Sequence, residues 1–143
     1  MKEEFKNDTN YLDQHFLVDK SIFNTFIDEA NLNVYETVVE IGPGKCEISD
    51  IIAKRSKHLT CIEKDLNLEP FLNVLQEKHD NVEVIFDNVL HSYIPECDKI
   101  ISALPYSITE PFIEKLLRWN FKEALLIVGK RFADSVVDEK LNK

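Results

Sequence analysis

Glycine and proline are scarce in this chain, at 3 and 5 of 143 residues, and no repeat or low-complexity stretch breaks it. A flexible linker between domains is thereby excluded, and a single domain over 1–143 is expected, with residues 1–13 polar and loose. Cysteine is sparse as well. Cys46, Cys61 and Cys97 are odd in number and far apart, with no C-x-x-C pair to suggest zinc or redox exchange, so they read as small buried residues in a reducing compartment. The 4 histidines show no ligand spacing, and no structural metal is expected. No apolar run approaches the roughly 18 residues of a membrane span, and the acidic opening Met1-Lys2-Glu3-Glu4-Phe5 is unlike a signal peptide. A soluble, cytoplasmic protein is expected. Positive charge is short too: 17 basic residues against 26 acidic ones give a net charge of −9. That balance argues against a broad nucleic-acid-binding face, which needs clustered Lys and Arg; Arg118 and Lys130-Arg131 are candidates for a local basic patch, with ordinary solvated charges as the better reading of each.

What the chain does have is 44% hydrophobic content arranged in short runs that alternate with helical spacing. Asp19 is placed to cap a helix with Ile22, Phe23, Phe26, Ile27 and Ala30 on one face. Strands are predicted at 38–41, 59–62, 82–86, 99–104 and 124–128, because each is a run of four to six mostly apolar residues. Between them lie helical patterns carrying Ile48, Ile51 and Ile52, then Leu68, Phe71, Leu72 and Leu75. A further one starts near Thr109 with Phe112, Ile113, Leu116 and Leu117 inward, and a last amphipathic segment carries Phe132, Val136 and Val137. Strand and helix in alternation imply a mostly parallel sheet covered on both faces. In such sheets ligands bind beyond the carboxyl ends of the strands, at the switch in strand order.

The residues at those ends are chemically suited to a nucleoside. Gly42-Pro43-Gly44 follows the first strand, where glycine permits a tight turn and close approach of backbone to ligand. The third glycine of a dinucleotide fingerprint is missing, since Glu47 holds its place; a carboxylate there is awkward for a pyrophosphate, which makes a nicotinamide-dependent oxidoreductase a poor reading. Glu63 ends the second strand at roughly the 20-residue spacing where an acid accepts hydrogen bonds from ribose hydroxyls. Asp87 ends the third and could accept from an exocyclic amino group, although Asp87-Asn88 also suits a plain turn. The fourth ends in Ala103-Leu104-Pro105-Tyr106, whose rigid Pro-Tyr offers a platform for stacking a base drawn out of its helix.

Taken in order, Gln14-His15-Phe16-Leu17-Val18-Asp19, Val39-Glu40-Ile41-Gly42-Pro43-Gly44, Ile62-Glu63-Lys64-Asp65, Phe86-Asp87 and Leu104-Pro105-Tyr106-Ser107-Ile108-Thr109 resemble the motifs of the ribosomal RNA adenine N6-dimethyltransferases. The erythromycin-resistance methylases share them, and Lys130-Arg131-Phe132-Ala133-Asp134 is similar to the family's segment after the fifth strand. The resemblance implies a Rossmann-like class I methyltransferase fold with S-adenosylmethionine as cofactor and small-subunit ribosomal RNA as partner. By it, His15 and Leu17 would close over the cofactor, Gly42 and Gly44 would cradle its methionine end, Glu63 would hold the ribose and Asp87 would meet the adenine. Glu40 and Ala103 complete that cofactor set, and Leu104, Pro105 and Tyr106 would present the target base.

Three departures qualify the expected function. His15 stands where the family usually has Asn. Ala103 stands where the family's loop reads Asn-Leu-Pro-Tyr, which removes one of two acceptors for the target amino group; Ser102 has a hydroxyl, but its side chain should point to the other face of the strand. The chain also stops before the usual later strands and C-terminal helical domain, as a minimal form or a fragment would, leaving a sheet edge that a second copy could cover. Two functions are therefore carried forward: methylation of adenine N6 in ribosomal RNA, and a cofactor-binding module with impaired catalysis.

Overall fold

The computed structural model describes residues 20–103, 109–128 and 133–135. It contains one parallel sheet of five strands, β1 (Thr37–Ile41), β2 (His58–Glu63), β3 (Val82–Phe86), β4 (Lys99–Ala103) and β5 (Glu123–Ile127), in the order β3-β2-β1-β4-β5. Among the described residues the helices that flank the strands are α1 (Lys20–Ala30), α2 (Glu47–Arg55), α3 (Glu69–Lys78) and α4 (Thr109–Leu116), with a 3-10 turn at Leu66–Leu68 leading into α3.

Chain direction and handedness explain the layers. The chain steps outward from β1 through β2 to β3, then returns to lay β4 on the other side of β1 and steps on to β5. Crossovers between parallel strands are right-handed, so a reversal of direction moves the connecting helices to the opposite face. Accordingly, Phe23 and Ile27 of α1, Ile48 and Ile52 of α2, and Leu72 and Leu75 of α3 pack with Val38, Leu59, Cys61 and Ile101 in one core. Phe112 and Leu116 of α4 join Val89, Ile94 and Cys97 of the β3–β4 connection over Val39, Ile41, Ile62 and Ile100 in the other. Successive strand residues thus serve opposite cores, which is why the strands read as continuous apolar runs rather than as alternating ones.

Polar contacts fix the sheet's amino edge. The Asp98 carboxylate accepts from the Thr37 N–H at 2.9 Å and pairs with Lys122 at 2.9 Å, tying the starts of β1, β4 and β5; these partners hold its carboxyl below the usual range. Lys99 Nζ donates to the carbonyls of Ala30 (2.6 Å) and Asn31 (3.0 Å) and pairs with Glu36 at 3.1 Å, so a cation satisfies the orphan carbonyls that end α1. Asn81 does the same for α2, donating from Nδ2 to the carbonyls of Ala53 and Ser56.

One expectation about a facing residue needs correction. Leu117 is 83% exposed, because α4 ends at Leu116 and the turn that follows brings Trp119, not Leu117, back onto the core. On α3, Leu72 and Leu75 form the buried stripe and Phe71, one position off it, is exposed. The predicted segment with Phe132, Val136 and Val137 lies outside the described residues.

Candidate functional site

The reversal of strand order falls between β1 and β4, and the residues beyond the strand ends on that side form a row. Asp87 follows β3, Glu63 ends β2, the Gly42–Gly44 turn follows β1 and Ala103 ends β4, and these strands are neighbours in that order. Three strand spacings separate the ends of the row, roughly 14 Å.

The turn after β1 is wound by three left-handed residues: Gly42 at φ 67°, Gly44 at φ 58° and Cys46 at φ 66°. The Gly42 N–H still donates to the Ile62 carbonyl at 2.9 Å, extending the β1–β2 ladder, before the chain turns into α2. A Cβ on Gly42 or Gly44 would meet nothing within 4 Å. The glycines are thus required by backbone conformation and not by crowding, and the space in front of them is open to a ligand.

Glu63 joins two loops. Its buried carboxylate accepts the Gly44 N–H on Oε1 at 3.2 Å and the Asp65 N–H on Oε2 at 3.0 Å. A carboxylate has about four acceptor positions, so each oxygen keeps capacity for a ligand hydroxyl. Asp65 in turn accepts the Asn67 N–H at 2.9 Å and caps the Leu66–Leu68 turn. On the next strand the Asp87 N–H donates to the Glu63 carbonyl at 2.9 Å, which sets the two acidic residues side by side; Asp87 is exposed and accepts the Asn88 N–H at 2.7 Å.

Glu40 occupies a different environment. Its carboxylate lies inside the protein below the glycine turn, accepting from the Ser49 hydroxyl of α2, with Cys61 Sγ of β2 at 3.8 Å. Burial pushes its pKa up to about 7 against the pull of the Ser49 and Cys61 contacts, and the Glu63 charge pushes the same way. Burial and the neighbouring carboxylates also raise the thiols of Cys46, to about 12, and Cys61, so both stay protonated.

Ser102 settles one point raised by Ala103. Its hydroxyl donates to the Ile41 carbonyl across the β1–β4 pair at 2.7 Å and is buried there, so it is committed away from the strand end. Ala103 itself is the last residue of β4, paired with Ile127 of β5. His15, Leu17, Leu104, Pro105 and Tyr106 lie outside the described residues. Two polar residues beside the site were not singled out by sequence reasoning: Ser49, fully buried next to Ile48 on the inner face of α2, and Lys115, three residues after the buried Phe112 on α4. A polar side chain at core spacing is the signal that could have found both.

Comparisons with known proteins fit this geometry. A model of the family described as ribosomal RNA adenine dimethylase matches residues 5–143. A probable ribosomal RNA small subunit methyltransferase A from Methanosphaera stadtmanae is 37% identical over 134 residues, covering 92% of this chain and 49% of that protein. Among solved structures, a dimethyladenosine transferase from Plasmodium falciparum superposes with a TM-score of 0.76 at 26% identity, covering 82% of this chain and 44% of its own. The 23S rRNA methyltransferase ErmE does so at 0.65 and 25%, covering 72% and 43%. This chain therefore spans about half the length of the curated relatives it matches. The fold is that of the class I S-adenosylmethionine-dependent methyltransferases. With glycine turn, ribose-spaced acid and strand order all in place, the chain belongs to the ribosomal RNA adenine dimethylase family.

Proposed function

We propose that this chain forms the S-adenosylmethionine-binding part of a ribosomal RNA adenine-N6 methyltransferase that works in the cytoplasm. The observation that carries the reading is the Glu63 carboxylate, buried at the end of β2, bonded to the Gly44 N–H and adjacent to Asp87. The residues present fit the cofactor. Open space lies before Gly42 and Gly44 for a methionine end, Glu63 retains acceptors for a ribose diol, and exposed Asp87 can accept from an adenine amino group. Glu40, turned inward, would support the glycine turn from below through Ser49.

When bound, S-adenosylmethionine would supply an electrophilic methyl group. The chain's own contribution is to hold the target nitrogen in line and keep electron density on it. The Leu104 carbonyl would accept a hydrogen bond from the target amino group, Pro105 would stiffen the loop, and Tyr106 would stack the extruded base. His15 and Leu17 would close over the cofactor.

A second reading, a cofactor-binding module with impaired transfer, is favoured by Ala103 together with Ser102. The family's Asn acceptor is replaced by alanine, and the neighbouring hydroxyl is spent on Ile41. Calorimetric titration with S-adenosylmethionine tests what the two readings share. Wild-type protein should bind, and Glu63→Gln and Glu63→Ala should lose most of the affinity. Failure of folded wild-type protein to bind would refute both.

A further inference from the structure

Between β3 and β4 the chain runs from Asp87 to Asp98 without a helix, and its first turn is wound upon itself. The Asn88 N–H donates to Asp87 Oδ1, the Leu90 N–H to Asn88 Oδ1 at 3.0 Å, and the N–H groups of His91 and Ser92 both to the Asn88 carbonyl at 2.9 Å. The carbonyls of Val89 and Ser92 face α4, and one side chain takes both. Lys115 Nζ donates to the Ser92 carbonyl at 2.7 Å and to the Val89 carbonyl. The same ammonium lies 4.9 Å from the centroid of the Trp119 ring, which packs edge-on against Phe112.

The charge of Lys115 is coupled to the candidate adenine acceptor. Burial pulls its pKa down, and the Asp87 carboxylate holds it up. A cation near the end of α4 also suits the helix dipole, but that explains neither the choice of two carbonyls on another segment nor the partial burial. Lys115 stands on the helix that follows the Leu104-Pro105-Tyr106 stretch and grips the turn that begins at Asp87. It is the described side chain that bonds the one to the other.

We propose that Lys115 is a positioning residue for adenine recognition. By holding the Asp87–Ser92 turn against α4, it aims the Asp87 carboxylate at the adenine amino group and so sets the preference of the pocket for an adenosyl ligand. The proposal rests on the reading of Asp87 given above and adds a residue that does not touch the ligand.

The test compares two probes, S-adenosylhomocysteine and S-inosylhomocysteine, whose purine carries an oxo group in place of the amino group. Dissociation constants would be measured by calorimetry on the full chain. Wild-type protein should prefer the adenosyl probe. Lys115→Met should weaken that probe roughly tenfold while leaving the inosyl probe nearly unchanged, and Lys115→Arg should restore the preference. A purely structural role would weaken both probes in proportion, and an unchanged preference in Lys115→Met overturns the proposal. Wild-type protein that binds both probes equally removes the role of Asp87, and with it that of Lys115; wild-type protein that binds neither removes the pocket itself. Circular dichroism reports folding. If Lys115→Met does not fold, Lys115→Gln, which keeps a donor without the charge, carries the same comparison.

Discussion

Glu40 offers a test of how the site is built, because its carboxyl is inside the protein while, among the described residues, no cation is paired with it. Folding raises its pKa from the ordinary 4.5 to about 7, chiefly through burial. Between those two values the native protein holds a proton that the unfolded chain has released, so stability falls as pH rises through this window. At about 1.4 kcal/mol for each tenfold difference in proton affinity, the full loss above pH 7 is about 3 kcal/mol. Glu40→Gln keeps the volume and the acceptor for Ser49 but cannot ionise. Urea unfolding of both proteins at about pH 5 and pH 8 isolates the effect, since carboxylates such as Asp50 and Asp98, whose pKa values are lowered by their partners, contribute equally to each. The Gln variant should gain on wild type by up to about 3 kcal/mol between the lower and the higher pH. If the difference between the two proteins is the same at both pH values, Glu40 is ionised throughout and the account of the buried cluster fails.

Other expectations follow from the same geometry. Gly44→Ala should cost about 1–2 kcal/mol in urea unfolding; the cost comes from the φ of 58° alone, because the added methyl meets no atom within 4 Å. Ala103→Asn should raise methyl transfer to an RNA substrate by a few hundredfold if the missing acceptor is what limits it; an unchanged rate in a radiolabel transfer assay would locate the limit elsewhere. Phe112→Ala should destabilise by about 3–5 kcal/mol because its ring is fully buried against α4's side of the sheet, whereas Leu117→Ser should stay within about 0.5 kcal/mol. Thermal melts of the two variants would show whether the exposed leucine has a hidden structural partner.

Much of this molecule was legible along the chain. The central strands appear as short apolar runs because they are buried on both faces, the half-buried edge strands β3 and β5 carry enough apolar residues to be read as well, and the glycine turn, Glu63 and Asp87 fall at strand ends where a parallel sheet places its ligand residues. Helix faces were readable where a full turn or more faces the core, as with Ile48 and Ile52, and less so at helix ends, where Leu117 turned out and Trp119 turned in. Periodicity describes a regular helix, and the chain leaves that regularity at Leu116.

What the sequence alone determined is local: which residues are strand or helix, which glycines must turn, and which acids stand at strand ends. The tertiary structure decided which of these meet. The return of β4 to the side of β1 brings Ser102 to Ile41 across 61 residues and spends its hydroxyl there. Folding also turns Glu40 inward to Ser49 and Cys61, although it stands only two positions before the glycine turn. Lys115 reaches the Asp87–Ser92 turn over more than twenty residues. Such contacts depend on crossover handedness and on the packing of two cores against one sheet, and no pattern within a window of ten or twenty residues encodes a partner that lies outside it.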